Sequence, residues 1–190
     1  MNVLVLGPQG SGKGTQAKRI AEERGIPHVS TGEMFRALDD ATPLGHEVNE
    51  IMARGDLVPD EITIRMIRQR LAEDDAREGF ILDWFPRNLA QAEALDEMLD
   101  EIGRTLDVIF FFDLDEDTAK QRALGRARQE GRIDDTPESI ARRLALYHEQ
   151  TKPVVEHYRT TGKLVPLHAG GSVEEVAGEI ESALDTVRAR

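Results

Sequence analysis

A glycine-rich segment near the start of the chain limits the possible folds more than any other feature. Asn2 to Leu6 is a continuous apolar run, typical of a buried parallel strand, and Gly7 ends it. The segment from Gly7 to Thr15 reads GPQGSGKGT, and a helical pattern follows. A strand, a glycine-rich turn and a helix start in this order predict a phosphate-binding loop. Its backbone N–H groups and helix start would face an anion, and Lys13 could reach the outer phosphates of a nucleotide.

Strands and helices alternate along the rest of the chain. Further strands are expected at Ile26–Val29, Phe80–Leu82, Val108–Phe112 and Leu164–Leu167. Helical patterns fill the intervals at Leu44–Ala53, Asp60–Glu73, Leu89–Ile102, Glu116–Ala127, Pro137–Tyr158 and Val173–Arg188. This alternation predicts an α/β fold, a three-layer α/β/α sandwich around a five-stranded parallel sheet. Ligands bind beyond the carboxyl ends of such strands, where Gly7, Asp83 and Asp113 follow the apolar runs.

Length and charge exclude several classes of protein. A chain of 190 residues is sufficient for one α/β domain. Its net charge of -12 predicts no general affinity for nucleic acid or for an anionic membrane. No apolar run approaches the ~20 residues of a membrane helix, and the first residues show no cationic leader. The chain has no cysteine, which excludes thiolate metal sites and fits a reducing compartment, so a cytoplasmic location is expected.

Several segments together resemble the adenylate kinase family across nearly the whole chain. They are GPQGSGKGTQA, STGEMFR, GDLVPDE, GFILDWFPR, QAEALD, GRIDD and RRLALYHEQT, in the family's order. The resemblance implies one domain over residues 1–190, with its core at 1–29, 60–126 and 137–190. It also implies a helical insertion over the monophosphate at about 30–59 and a short lid at about 127–136. The expected reaction is ATP + AMP = 2 ADP with Mg²⁺, in adenine nucleotide homeostasis and purine salvage.

The resemblance also assigns residues to the two nucleotides. For ATP it implies contacts from Gly10, Ser11, Gly12, Lys13, Gly14, Thr15, Arg122, Arg126 and Gly171. For AMP it implies contacts from Thr31, Arg36, Leu57, Val58, Trp84, Arg87, Gln91, Arg132 and Arg143. The catalytic set is Lys13, Asp83, Arg87, Arg126, Arg132 and Arg143.

The expected role of Asp83 is indirect: its carboxylate would hold Mg²⁺ through water, with no side chain binding the metal directly. Simpler interpretations remain open for single residues. Ser30 and Thr31 could serve only as a helix cap, Asp83 could cap the turn after its strand, and any one arginine could be a solvated surface charge.

Two positions depart from the family pattern. Trp84, the only tryptophan, stands where the family has glycine, beside the AMP base. Its indole could stack on the base, crowd it or turn into the core, and we expect altered AMP affinity or selectivity without loss of activity. Asn88 replaces a common threonine at a helix start. The short lid carries no cysteine, so no zinc is expected, and a monomer is suggested.

Three other functions compete with this interpretation. A UMP/CMP kinase of the same fold is disfavoured by Thr31 and Gln91, although Trp84 leaves room for altered specificity. A P-loop hydrolase switch would need a base-reading Asn-Lys-x-Asp motif, which the chain lacks. A regulator without catalysis is disfavoured by Lys13, Asp83 and the arginine set.

Overall fold

A parallel five-stranded sheet organises the protein. The computed structural model describes residues 1–130 and 135–188. The strands are β1 (Asn2–Leu6), β2 (His28–Ser30), β3 (Phe80–Asp83), β4 (Val108–Asp113) and β5 (Leu164–His168). Their order across the sheet is β2-β3-β1-β4-β5, and every pairing is parallel. This arrangement confirms the predicted α/β fold.

Helices cover both faces of the sheet. Their bounds are α1 (Lys13–Arg24), α2 (Thr31–Arg36), α3 (Pro43–Arg54), α4 (Asp60–Leu71), α5 (Leu89–Glu101), α6 (Glu116–Glu130), α7 (Pro137–Leu146), α8 (Lys152–Arg159) and α9 (Val173–Arg188). No helix of the described segments is long and apolar enough to cross a membrane.

The pleat of the strands divides the core between the two faces. Successive side chains of a strand point to opposite faces, so Leu4 and Leu6 lie on one side of β1 while Val3 and Val5 lie on the other. The first side packs against apolar residues of α4, α5 and α8, and the second against α1 and α9. Burial on both faces explains why β1 is continuously apolar.

Two smaller apolar clusters lie outside the sheet. Phe35, Val48, Met52 and Val58 form the buried centre of the insertion that contains α2 and α3. Ala119 and Ala123 of α6 pack against buried apolar side chains of α7. The insertion and the α6–α7 pair therefore each have a separate apolar core.

The predicted element bounds need four corrections. The strand expected at Ile26–Val29 begins at His28, because Pro27 has no N–H to donate to a sheet ladder. The helix expected from Pro137 to Tyr158 changes to a wider π-helical turn at Tyr147–Thr151, between α7 and α8. Helix α6 continues to Glu130, beyond the lid boundary expected at residue 127. No bounds were predicted for helix α2, which starts at the cap considered at Ser30, or for a 3₁₀ turn at Asp74–Ala76.

The register of the sheet brings together only some of the residues that were predicted to lie at the ligand edge. Val5 pairs with Asp83, and Asp83 also pairs with Ser30 on β2, so the loop after β1 lies beside the end of β3. Asp113 pairs instead with His168 on the other half of the sheet. Gly7 and Asp83 therefore meet at the site, whereas Asp113 lies apart from it.

Candidate active site

The glycine-rich loop presents an open helix start. Gly10 and Gly12 have positive φ angles of 87° and 82°, a conformation that costs glycine little. Gly12 caps α1 without any side-chain hydrogen bond, and the first turn of α1 carries no acidic residue. A side chain at Gly10 would collide with the backbone of Ala119 on α6. The loop is therefore closely packed on its outer side and leaves the N–H groups at the start of α1 for an anion.

Asp83 lies directly below this loop. Its side chain is almost fully buried, and its Oδ1 has no hydrogen-bond partner among the described residues. A Cβ atom added to Gly14 would lie 3.3 Å from Asp83 Oδ2, so glycine allows the helix start to approach the carboxylate. His28 Nε2 is 3.5 Å from the same oxygen.

These observations fit Mg²⁺ bound through water. A buried carboxylate oxygen without a partner can accept a hydrogen bond from a metal-bound water. No group of three or more His, Asp or Glu side chains that could hold a metal directly occurs within residues 1–130 and 135–188. The donors present therefore suit a metal whose remaining ligands are water and substrate oxygens.

Two cavities meet above the ligand edge of the sheet. We call the first the loop cavity; its walls include Gly10, Gly12, Lys13, Gly14, Thr15, Asp83, Arg122 and Arg126. We call the second the insertion cavity; its walls include Thr31, Leu57, Val58, Gln91, Arg87 and Arg143. Arg36, Trp84 and Arg126 line both cavities. The structure thus brings most of the predicted residues to one place, in the two groups expected.

Two predicted residues within the described segments do not line either cavity. Ser11 is buried within the loop, and its Oγ has no hydrogen-bond partner in the described part of the chain. Gly171 follows β5, next to the Ala169 and Gly170 carbonyls that accept hydrogen bonds from Arg122 at 2.7 and 3.1 Å. Arg132 lies outside the described residues.

Gln91 is held in a fixed orientation at the start of α5. Its Oε1 accepts from the Arg87 N–H at 2.8 Å, and its Nε2 donates to Asp60 Oδ1 at 2.7 Å. Asn88 caps α5 through its Oδ1 and donates to the same Asp60 oxygen. An amide has two acceptor sites and two donor hydrogens, so one of each remains for a ligand.

Two cations of the site are strongly desolvated. Burial lowers the pKa of Lys13 from 10.5 to about 7, with Asp83 opposing the shift and Arg87 and Arg126 adding to it. Burial also lowers the pKa of Arg87 to about 9; the charges of Arg143 and Arg36 act in the same direction, and Asp83 opposes the shift. These cations repel one another, and an anionic ligand would relieve that repulsion.

Trp84 lies among these cations. Lys13 Nζ is 3.3 Å from the centroid of its ring, and Arg87 Cζ is 4.3 Å from it. The backbone of Trp84 has a φ of 68°, and its carbonyl accepts from Thr31 Oγ1 at 3.0 Å and Arg87 Nε at 3.1 Å. Of the three orientations considered from sequence, the turn into the core is wrong, because the ring is half-buried and lines the cavities.

Asp135 is a central residue that sequence reasoning missed. Its buried carboxylate accepts from Arg126 Nη2 at 2.8 Å and from Arg143 Nη1 at 2.5 Å. It also accepts from Gln9 Nε2 of the glycine-rich loop at 2.9 Å, and its pKa is lowered by Arg126 and Arg143 against the opposing effect of burial. The GRIDD segment supplied only Arg132 to the predicted site. The position of Asp135 between Arg132 and Arg143 in the sequence was a signal that could have indicated an ion pair.

Comparison with known proteins agrees with this geometry. The model of the protein family described as "Adenylate kinase" matches residues 5–163. A protein named adenylate kinase from Thermobifida fusca (strain YX) is 52% identical over 185 residues, covering 97% of this chain and 98% of the relative. Adenylate kinases of Xanthomonas euvesicatoria pv. vesicatoria (strain 85-10) and Xanthomonas oryzae pv. oryzae (strain MAFF 311018) are 48% and 46% identical, covering 97% of this chain and 99% of each relative. The chain therefore belongs to the adenylate kinase family.

Proposed function

We propose that this protein catalyses the reversible transfer of the terminal phosphoryl group of ATP to AMP, giving two molecules of ADP. As a member of its family it is a nucleoside monophosphate kinase, a phosphotransferase. The observation that carries the choice of reaction is the junction of two cavities at shared arginines. The loop cavity has the features of a polyphosphate site, and the insertion cavity adds cations for a second phosphate.

The loop cavity is the proposed ATP site. The open N–H groups at the start of α1 would bind the β- and γ-phosphates, and Lys13 would neutralise their charge. Arg122, which is held against the carbonyls of Ala169 and Gly170, would lie on the adenine ring. Gly171 belongs to the same loop and would contribute backbone rather than side-chain contact.

The insertion cavity is the proposed AMP site. Arg36 and Arg87 would bind the phosphate, since a guanidinium presents paired donors that match phosphate oxygens. The free donor and acceptor of the Gln91 amide would pair with adenine N1 and N6, which favours adenine over pyrimidine bases. Thr31, Leu57 and Val58 would form the wall around the base.

Phosphoryl transfer requires alignment and positive charge rather than a covalent intermediate. An oxygen of the AMP phosphate forms a bond to the γ-phosphorus of ATP while the bond from that phosphorus to the β–γ bridging oxygen breaks. Arg126 lines both cavities, and Arg143 shares Asp135 with it, which supports the proposal that both stabilise the moving group. The same role proposed for Arg132 comes from the sequence resemblance alone.

Adenylate kinases use Mg²⁺ together with ATP, and Asp83 is the residue proposed to hold it here through water. When bound, the metal would neutralise charge on the ATP phosphates. The unpartnered Oδ1 of Asp83 and the close approach of Gly14 support this position.

The remaining proposals concern organisation and setting. We propose that the insertion at about 30–59 and the lid at about 127–136 close over the nucleotides and exclude water. We also propose that the enzyme is a cytoplasmic monomer that serves adenine nucleotide homeostasis and purine salvage. Light scattering with size-exclusion chromatography tests the monomer, and cell fractionation tests the location.

A two-substrate assay tests the reaction. ADP formation is followed with Mg-ATP and one of AMP, UMP, CMP or no acceptor, with and without a chelator of Mg²⁺. We expect rapid ADP formation only with AMP and Mg²⁺. Faster turnover of UMP or CMP would restore the alternative that the comparisons do not favour, and equal ADP release without acceptor would indicate a hydrolase.

A further inference from the structure

Trp84 has a unique position among the cavities. Within residues 1–130 and 135–188, it alone lines the loop cavity, the insertion cavity and a third cavity beneath them that reaches Lys13 and Arg87. Its indole therefore stands at the point where the two nucleotide phosphates would have to meet. An obstacle at that point must affect both substrates rather than one.

The indole already contacts Lys13 and Arg87, the two cations that the phosphates would bind. The face of a tryptophan ring attracts cations, and Lys13 Nζ lies 3.3 Å from its centroid. Arg87 Cζ lies 4.3 Å from the same centroid. A phosphate oxygen that binds Lys13 or Arg87 offers a stronger partner than the ring, so indole and phosphate compete for these two side chains.

The backbone of Trp84 adopts an unfavourable conformation. A φ of 68° is unfavourable for a bulky side chain, and in the described residues Trp84 is the only non-glycine residue with a positive φ. Hydrogen bonds from Thr31 and Arg87 to the Trp84 carbonyl support this conformation. Such conformations persist where the surroundings enforce them, and they concentrate at functional sites.

We propose that Trp84 is a gate between the two nucleotide sites, held closed by Lys13 and Arg87 until phosphates displace its ring. This inference deepens the proposed function, because it assigns the closed state of the same site. The gate leaves less binding energy for either nucleotide, since each must first displace the indole. Trp84 is thus a positioning residue that acts through Lys13 and Arg87.

Binding of inorganic tripolyphosphate, measured by titration calorimetry, tests the competition without any adenine contact. Trp84→Gly removes the ring and suits the positive φ, whereas Trp84→Asn removes the ring and keeps a side chain that tolerates this φ. We expect both variants to bind tripolyphosphate about 3- to 30-fold more tightly than the parent. Unchanged or weaker binding in both, or a gain in the glycine variant alone, would overturn the role of the ring.

The parent protein offers an independent measurement, because Trp84 is its only tryptophan. We expect tripolyphosphate to change the fluorescence emission of Trp84 and to increase its quenching by acrylamide, since the ring moves away from Lys13 and Arg87. Saturation with tripolyphosphate at unchanged emission and quenching would show that the ring stays in place, which contradicts a gate. This experiment holds even if the variants fold poorly.

Kinetics separate the gate from the proposed reaction. If the gate exists, Trp84→Gly lowers the KM for AMP and for ATP, and a higher KM for AMP would instead indicate that the indole stacks on the base. If the parent makes no ADP from ATP and AMP, the proposed reaction fails. The tripolyphosphate and fluorescence results would still decide whether the ring competes with phosphate.

Discussion

Replacing Lys13 by methionine should stabilise the nucleotide-free protein while it removes activity. Methionine has a similar length and no charge, so it fills the same space beside Trp84. The pKa of Lys13 falls from 10.5 to about 7 because its ammonium is buried. At 1.36 kcal/mol per unit, holding this lysine costs the folded state ~4 kcal/mol at pH 7.

The expected gain is smaller than this amount. The variant loses the attraction between the ammonium and the Trp84 ring, which contributes ~0.5–2 kcal/mol. A net gain of ~2–3 kcal/mol remains, which corresponds to a Tm increase of about 5–10 °C for a chain of this size. Activity should fall below detection, because methionine cannot supply the cation that we propose for the outer phosphates.

The dependence on pH identifies the cause. Between pH 7 and 10.5 the unfolded chain keeps the proton on this lysine and the folded protein releases it, so the stability of the parent rises with pH. The advantage of Lys13→Met should therefore shrink by ~1.4 kcal/mol per pH unit and be lost near pH 9. Thermal melts in phosphate-free buffer at pH 7, 8 and 9 measure this difference.

A matched control lies one turn and a half further along the same helix. Lys18 is exposed and pairs with Glu33 at 2.7 Å, so Lys18→Met should change Tm by no more than about 1–2 °C at any pH. A Lys13→Met protein that is equally or less stable than the parent at pH 7, or whose gain does not depend on pH, would refute the argument from burial.

Four further substitutions test the other parts of the site. Arg87→Ala and Arg126→Ala should each lower kcat by about 100-fold or more in steady-state kinetics. Arg77→Ala, on the exposed surface, is the control and should change kcat less than about twofold. Losses below about fivefold for both site variants would contradict their assigned roles. Asp83→Asn should raise the Mg²⁺ concentration for half-maximal rate about tenfold, and an unchanged magnesium titration would exclude a role near the metal. Asp135→Asn should lower Tm by about 5–10 °C, since it removes the buried carboxylate charge that pairs with Arg126 and Arg143; an unchanged melting curve would contradict it.

The fold was largely predictable because its elements have strong local signals. Continuous apolar runs between glycines or aspartates located the strands, and β1 has the predicted bounds. Helix α9 also has its predicted bounds, since its apolar spacing is regular and no proline interrupts it. Helix α2 was missed because its six residues are too short for a periodic pattern, although Ser30 and Glu33 supplied a cap signal.

The sequence indicated which residues form the candidate site but not how those residues contact one another. The segments that resemble the adenylate kinase family indicated which of the described residues gather around the two cavities. They could not indicate that Asp135 joins Arg126 to Arg143, since these three residues meet only when α6 and α7 pack together. The direction of Trp84 was likewise inaccessible, because a positive φ at a tryptophan has no sequence signal.

The contacts that the structure gives Lys13 are weak partners for a buried positive charge. Lys13 faces an aromatic ring and a backbone carbonyl at 3.5 Å, neither of which carries a negative charge. Arg126 and Arg143 both donate to the buried Asp135 carboxylate. Burial of the Lys13 ammonium close to Arg87 and Arg126 is therefore the unfavourable feature of this site, and the instability that it imposes is the quantity that Lys13→Met measures.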